Sequence, residues 1–180
     1  MTTHCVAALI VVVLSGIGVV AQQPAAPAPA APPGPATPIV PAAPVVSADT
    51  IEAARKQSVA AGTVDRLIQG FEVPGGRNAL AMLYRTKPET NALIHEQVTE
   101  IYQIIEGSGT LITGGRLVST RTTDLARVWA GPSLSGVHEG GETRRVGPKD
   151  VIVVPAGTPH RFSQLDGPIT YLVYRFEAVK

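Results

Sequence analysis

Short runs rich in Val, Ile, Leu and Thr, separated by Gly, Pro and Asn, most constrain what this chain can fold into. The clearest lie at 79–84, 101–105, 110–113, 151–154 and 169–176. Runs of this length with turn residues between them predict β-strands. Many short strands with no helical pattern between them predict an all-β antiparallel sandwich or barrel, and the 4% aromatic content with 18 glycines argues against a helical bundle.

One helix is predicted just before this region. Residues 47–57 combine good helix formers with Ser47 or Asp49 as the N-cap. The predicted domain is therefore a β-barrel with a short N-terminal helix.

The first 48 residues differ from the rest because they contain no Lys, Arg, Asp or Glu. Residues 6–20 form an apolar run of fifteen, which is short for a membrane span of ~20 residues and typical of a signal peptide. Small residues precede Gln22, where a leader peptidase would cut. We expect a signal peptide over 1–21 and an exported protein, periplasmic or secreted. The absence of a basic residue at the start leaves an uncleaved N-terminal anchor as the alternative.

A Pro/Ala-rich segment follows at 22–48 and holds nine of the 16 prolines. It has no periodic apolar pattern and no charge, so folding would not bury enough apolar surface to offset the conformational entropy that the segment would lose. We expect a disordered, semi-extended linker. The predicted domain organisation is thus a signal peptide at 1–21, a linker at 22–48 and a β-barrel at 49–180.

Charge and cysteine content exclude several function classes. The net charge of +1 gives no basic footprint for nucleic acid. Cys5 precedes the apolar run and would leave with the leader, so the mature chain would contain no cysteine, disulfide or thiolate metal site. We also expect no membrane span after cleavage of the leader.

Two segments carry residues suited to chemistry. In the first, His95 is followed by Glu100 and then Gly107, at intervals of four and six intervening residues. In the second, Pro155, Gly157 and His160 follow the apolar run at 151–154.

This pair of segments resembles the two motifs of the cupin superfamily, G-x5-H-x-H-x(3,4)-E-x6-G and G-x5-P-x-G-x2-H-x3-N. The resemblance covers about residues 64–177 and implies a double-stranded β-helix, or jelly-roll, barrel. Three positions depart from the motifs. Leu93 stands at the first metal-binding histidine, Lys149 at the glycine that begins the second motif, and Gln164 at its closing asparagine.

The resemblance implies a metal site made of His95, Glu100 and His160. Side chains two residues apart in a strand share a face, so Leu93 and His95 would both face the barrel interior. Two imidazoles and one carboxylate match a 2-His-1-carboxylate site for a divalent transition metal such as iron, manganese, nickel or zinc. The alternative is a degenerate site in which Leu93 packs as core and no metal binds, with Arg85, Arg161 or Arg175 as the partner of Glu100.

Five further residues are weaker candidates for lining a ligand cavity, namely Leu93, Gln97, Tyr102, Phe162 and Gln164. Trp129 could line the mouth or pack in the core. The long stretch 108–148 between the motifs could form a lid or a mobile loop. His138 lies there in a predicted exposed turn, and its alternative role is a distant fourth ligand.

Three functions remain open at this stage, because a fold does not settle function. The first is a metal-dependent enzyme acting on a small molecule. The second is a non-catalytic module that binds a small ligand. The third is a structural barrel without metal. The expected partners are a small-molecule ligand or substrate and a second copy of the chain in a homodimer.

Overall fold

In the part of the chain that the computed structural model describes, there are one α-helix and eleven strands. The structure describes Gly34 and residues 42–178, so the predicted signal peptide and nearly all of the predicted linker lie outside the described residues. The helix α1 spans Ala48–Ala61. The strands in chain order are β1 Asp65–Val73, β2 Gly76–Arg85, β3 Ala92–His95, β4 Val98–Glu106, β5 Gly109–Thr113, β6 Arg116–Asp124, β7 Pro132–Glu139, β8 Glu142–Val146, β9 Val151–Val154, β10 His160–Leu165 and β11 Ile169–Ala178.

These strands form two antiparallel sheets. One has five strands in the order β1-β2-β11-β4-β9, and the other has six in the order β6-β7-β3-β10-β5-β8. Buried apolar residues from both sheets meet in one core between them. The all-β jelly-roll barrel with a short N-terminal helix that the sequence predicts is confirmed.

Helix α1 covers the outer face of the five-stranded sheet. Ser47 is its N-cap and accepts a hydrogen bond from the backbone N–H of Thr50, 3.2 Å away. Gly62 ends it in the left-handed conformation at φ 62°. Beneath it lies a second apolar cluster that includes Leu80, Met82 and Leu172, each from an outward position of the sheet. The five-stranded sheet is therefore apolar on both faces, as its alternate residues require.

The stretch 108–148 is not a lid or a mobile loop. It forms β5 to β8 and a short 3-10 turn at Ala126–Val128. The predicted exposed turn around His138 is also wrong, because His138 lies in β7 and is half-buried. Its Nε2 donates to the carbonyl of Gly114, 2.7 Å away. Ser, Thr, Arg and Gly make up more than half of this stretch, and the resulting weak alternation of apolar and polar residues hid the strands.

None of the helices in residues 42–178 is long and apolar enough to cross a membrane.

Candidate metal centre

The predicted ligands come from three strands and meet inside the barrel. His95 ends β3, Glu100 lies in β4, and His160 begins β10. One ligand atom from each lies within 4.8 Å of the other two. The Nε2 atoms of His95 and His160 are 3.4 Å and 3.6 Å from the same oxygen of Glu100, Oε2. All three side chains are buried.

Hydrogen bonds on the far side of each imidazole set its tautomer. Nδ1 of His160 lies 3.0 Å from the carbonyl of Thr158, which can only accept, so Nδ1 carries the proton. The Ser133 hydroxyl donates to the carbonyl of Gly131, 3.0 Å away, and its oxygen is 2.8 Å from Nδ1 of His95. Nδ1 of His95 is therefore the donor in that contact. In the neutral form of both residues, the two Nε2 lone pairs point at the carboxylate.

This geometry fits a cation. Two lone pairs and a carboxylate oxygen converge with no hydrogen between them, which is unfavourable unless a metal ion or a proton lies there. Burial lowers the pKa of His160 and favours its neutral, ligating form. Imidazole nitrogen with carboxylate oxygen suits iron, manganese, cobalt, nickel or zinc. The residues present thus fit a divalent transition metal, with Ser133 and Thr158 orienting the two imidazoles.

Glu100 also has a protein partner. Arg175 lies directly opposite it in the pairing of β11 with β4, and Nε of Arg175 donates to Oε1 of Glu100 at 2.8 Å. Tyr102 donates to the other oxygen, Oε2, at 2.8 Å. Burial by itself would raise the pKa of Glu100, but the contacts with His95 and the charge of Arg175 hold it well below its ordinary value. Glu100 is therefore an anion whose Oε1 is occupied and whose Oε2 faces the histidines.

Arg175 is itself held by three groups. Its guanidinium donates to both oxygens of Asp65, at 2.6 Å and 3.3 Å, and to the carbonyl of Val128 at 2.6 Å. One buried guanidinium thus pairs with two carboxylates, those of Asp65 and Glu100, and the three groups together carry a formal charge of −1. Neither Asp65 nor Ser133 was predicted from the sequence, because only the strand register brings them to the site.

A turn in the second motif connects the two histidines. Gly157, at φ 79°, donates its N–H to the carbonyl of His95 at 2.8 Å. The neighbouring Ala156 N–H donates to Thr99 Oγ1 at 3.2 Å. This turn therefore fixes the start of β10, and with it His160, against the end of β3.

The three residues lie on the wall of a cavity of about 420 Å³. Of the five weaker candidates, Leu93 and Tyr102 line it. The structure places the other three away from it. Phe162 is buried in the core against Tyr171, with 5.4 Å between ring centroids. Gln97 lies between β3 and β4, and a register shift after Phe162 leaves Gln164 exposed.

The mouth of the cavity includes a 3-10 turn that Trp129 fixes in place. Leu125 and Arg127, from this turn and the residue before it, line the cavity. Trp129 packs on Gly70 of β1 so closely that a Cβ at Gly70 would lie 2.6 Å from its ring. The guanidinium carbon of Arg77 lies 5.5 Å from the ring centroid on a cation–π contact. Trp129 therefore packs against the barrel wall and does not line the cavity.

The two facing sheets and the inward His, Glu and His of the two motifs define a protein of the cupin fold. No protein-family model and no curated protein matches the sequence. Solved structures with a similar fold include a protein of Bacillus halodurans, at 17% identity and TM-score 0.45 over 74% of this chain and 81% of that one. A cupin 2 conserved barrel domain protein of Salinispora arenicola is similar at 10% identity and TM-score 0.40, over 63% and 75% of the two chains. A protein of Thermotoga maritima described as a predicted oxalate decarboxylase is similar at 15% identity and TM-score 0.36, over 67% and 73%.

Proposed function

We propose that this barrel binds a divalent transition metal through His95, Glu100 and His160 and presents it to a small molecule in the adjoining cavity. The observation that supports this is the convergence of both Nε2 atoms on Oε2 of Glu100, with each Nδ1 engaged elsewhere. Such a metal would supply Lewis acidity or activate a bound small molecule, as three-ligand sites with open positions do. The chain's own residues would orient the ligands and exclude water.

Enzymatic turnover is the finer form of this proposal. In the described part of the chain, the cavity wall offers Tyr102 beside Glu100 as the phenol nearest the proposed metal. Burial raises the pKa of Tyr102 well above its ordinary value, so its phenol would act as a hydrogen-bond donor and not as a base. The cavity could thus hold and polarise a substrate, with Tyr102 donating to it or to Glu100.

A second candidate function is a ligand-binding barrel without metal. The observation that favours it is the ion pair between Arg175 and Glu100, because that pair already neutralises the buried carboxylate. A proton on His95 would then hydrogen bond to Glu100 across the 3.4 Å gap. The two candidates differ only in which cation occupies the space between the three side chains.

Titration of chelator-treated protein with Co²⁺ separates them, because bound cobalt has a visible spectrum that reports its ligands. We expect one Co²⁺ per chain, and at least about tenfold weaker binding in His95→Ala, Glu100→Gln and His160→Ala. His138→Ala is the matched control, because His138 belongs to β7 and bonds to Gly114 instead. Equal Co²⁺ binding by all five proteins, or none by the parent, would favour the metal-free barrel.

We also propose that the protein is exported by the segment 1–21. The support is the sequence alone, an uncharged apolar run followed by small residues. Cell fractionation with N-terminal sequencing tests it. A mature N-terminus near Gln22 outside the cytoplasm is expected, and a full-length membrane-bound chain would indicate an uncleaved anchor.

Dimerisation is a further proposal, supported by strand β9 at the edge of the five-stranded sheet. Val151 and Val153 of this strand are exposed, at 60% and 58%. An apolar edge of this kind favours pairing with a second copy. Sedimentation of the parent and of Val151→Lys is the test, with a dimer expected only for the parent.

A further inference from the structure

The charged groups around the cavity are not balanced once a metal is bound. Three carboxylates line it, from Asp65, Glu89 and Glu100. Three arginines also line it, Arg85, Arg127 and Arg175. The formal sum is zero with neutral histidines, and a divalent cation would raise it to +2. A partly buried cavity with that excess favours a ligand that carries negative charge.

All three carboxylates already have partners within the described part of the chain. Arg175 binds those of Asp65 and Glu100. Glu89 accepts from the backbone N–H of Phe162 at 2.9 Å and pairs with Nη2 of Arg85 at 2.9 Å. The acidic groups are thus engaged, whereas Arg127 is exposed at the mouth and pairs with no carboxylate of residues 42–178. The groups left to meet a ligand are the cationic ones.

Two contacts hold the side chain of Arg85 in place and leave some of its N–H donors without a partner in residues 42–178. Its Nε donates to the hydroxyl of Tyr171 at 2.8 Å, and its Nη2 pairs with Glu89. A guanidinium has five N–H donors, so these two contacts leave two on Nη1 and one on Nη2. Nη1 and Nη2 lie side by side at the end of the guanidinium, where their N–H groups can meet a carboxylate as a fork. The side chain is largely buried, at 17% exposed, which favours strong binding of an anion.

The position of Arg85 places this fork in the same cavity as the metal centre. Arg85 ends β2 on the inward face that Ala81 and Leu83 share. Tyr171, which it contacts, packs on Tyr102 with 5.0 Å between ring centroids, and Tyr102 donates to Glu100. One aromatic pair thus separates the guanidinium from the metal ligands, and a cavity of about 420 Å³ adjoins both.

We infer that the ligand of this cavity is a small organic acid whose carboxylate binds the remaining fork of Arg85, with Arg127 attracting it at the mouth. A carboxylate is favoured over a phosphate because Glu89 already offsets part of the positive charge of Arg85. In addition, no lysine of the described residues lines the cavity. A dianion would need more donors than this. The inference rests on the proposed function in one respect, because the excess of positive charge requires a bound metal. The fork of Arg85 is present with or without the metal.

The test compares carboxylates with their uncharged amides on the full-length protein loaded with Co²⁺. Propionate and benzoate are titrated against propionamide and benzamide, with methyl phosphate as the alternative anion. Binding is followed by chemical shifts in the metal-free protein and by the cobalt spectrum in the loaded one. We expect at least one acid to bind about tenfold tighter than its amide, as one charge-assisted contact provides.

Arg85→Gln should remove that preference while the Co²⁺ affinity stays within about twofold, because Arg85 does not contact the ligands. Arg121→Gln is the matched control, since Arg121 is exposed in β6. Arg85→Lys retains the charge without the fork, and a loss of preference there too would support recognition by the guanidinium. If both Arg85 variants fail to fold, Arg127→Gln at the exposed mouth should still weaken the acid by about threefold through the lost attraction.

Several results would overturn the inference. Amides that bind as tightly as acids, methyl phosphate that binds more tightly than every acid, or a preference that survives in Arg85→Gln would each do so. Failure of the parent to bind Co²⁺ would instead contradict the proposed metal site. The same titrations on metal-free protein then decide the inference, with an Arg85-dependent preference for acids supporting it and no preference overturning it.

Discussion

The two ends of the barrel interior have opposite chemistry although the same strands build both. Along β11, the inward residues Ile169, Tyr171 and Val173 are apolar and the next inward residue is Arg175. Along β4, the inward positions change from Ile104 to Glu100 over four residues. One end is a close-packed apolar core, bordered by Arg85 opposite Ile169. The other end holds the candidate metal ligands and Arg175.

The difference shows that one strand can contribute to folding stability through one part of its length and to the candidate metal site through another. The apolar end gains from burial of large side chains such as Phe162 and Tyr171, which are 1% and 0% exposed. At the polar end, each buried charge costs solvation free energy that only its partner offsets. We therefore expect substitutions of the buried apolar residues to change folding alone, and most substitutions at the polar end to change metal binding first.

The largest expected effect is at the apolar end. Phe162→Ala should lower the free energy of unfolding by about 3–5 kcal/mol, because it removes a buried ring in contact with Tyr171. Urea denaturation measures it. Phe176→Ala is the matched control, since Phe176 is 43% exposed and should cost under about 1 kcal/mol. Equal losses in the two variants would break the comparison, because they would show that the apolar end is not the main source of stability.

Arg175 is the exception at the polar end, because its loss leaves two carboxylates without a counter-ion. We expect Arg175→Met to destabilise the protein by about 3 kcal/mol. Arg116→Met is the control, since Arg116 pairs with Glu139 on the surface and should cost at most about 1 kcal/mol. A stable Arg175→Met protein with unchanged metal affinity would mean that Arg175 neither stabilises the charge of Glu100 nor positions its carboxylate for the metal.

The third prediction concerns high pH. Burial raises the pKa of Tyr171 and of Tyr102 above the ordinary value. A raised pKa in the folded state contributes stability that is complete below the unfolded value of about 10 and is lost as the pH rises above it. We expect about 2 kcal/mol less stability at pH 11 than at pH 9 from these two phenols.

Denaturation at several pH values, with tyrosinate absorbance recorded alongside, tests this loss. Tyr171→Phe should remove about half of the pH dependence whatever its effect at neutral pH. Ionisation of all four tyrosines at pH 11 in a protein that is still folded would contradict the burial of Tyr102 and Tyr171.

The smallest expected effect is a gain. Lys149 has φ 77°, a left-handed conformation that costs a residue with a Cβ roughly 1–2 kcal/mol, and its N–H donates to the carbonyl of Ile104 at 2.9 Å. Lys149→Gly should stabilise the apolar end by about 0.5–1 kcal/mol, after the entropy that glycine loses. Lys149→Ala keeps the strain and should give no gain. Thermal unfolding of the two variants side by side shows whether backbone strain or the lysine side chain is responsible.

Much of the fold could be predicted because turn residues and alternation act locally. An N-cap at Ser47 or Asp49 and strands at 151–154 and 169–176 follow from neighbouring residues alone. The observed cap is Ser47, and the observed strands are Val151–Val154 and Ile169–Ala178. The resemblance of the two segments to the cupin motifs likewise implied that His95 and Glu100 share the interior. These inferences needed no knowledge of which strand pairs with which.

What could not be predicted depends on register between distant strands. Glu100 and Arg175 are 75 residues apart, and only the pairing of β11 with β4 places them opposite each other. The bulge after Phe162, which leaves Gln164 exposed, is a feature of the pairing of β10 with β5. Arg175 was one of three arginines that the sequence offered as partners of Glu100, and composition could not choose among them.

The packing of Trp129 on Gly70 has a consequence for access to the cavity. Gly70 lies in β1 and contributes nothing to the cavity wall, yet the turn that precedes Trp129 carries Leu125 and Arg127 to the mouth. A methyl group at position 70 would clash with the indole of Trp129 and displace that turn. A substitution at position 70 would therefore change the width of the cavity mouth, although residue 70 itself does not line the cavity.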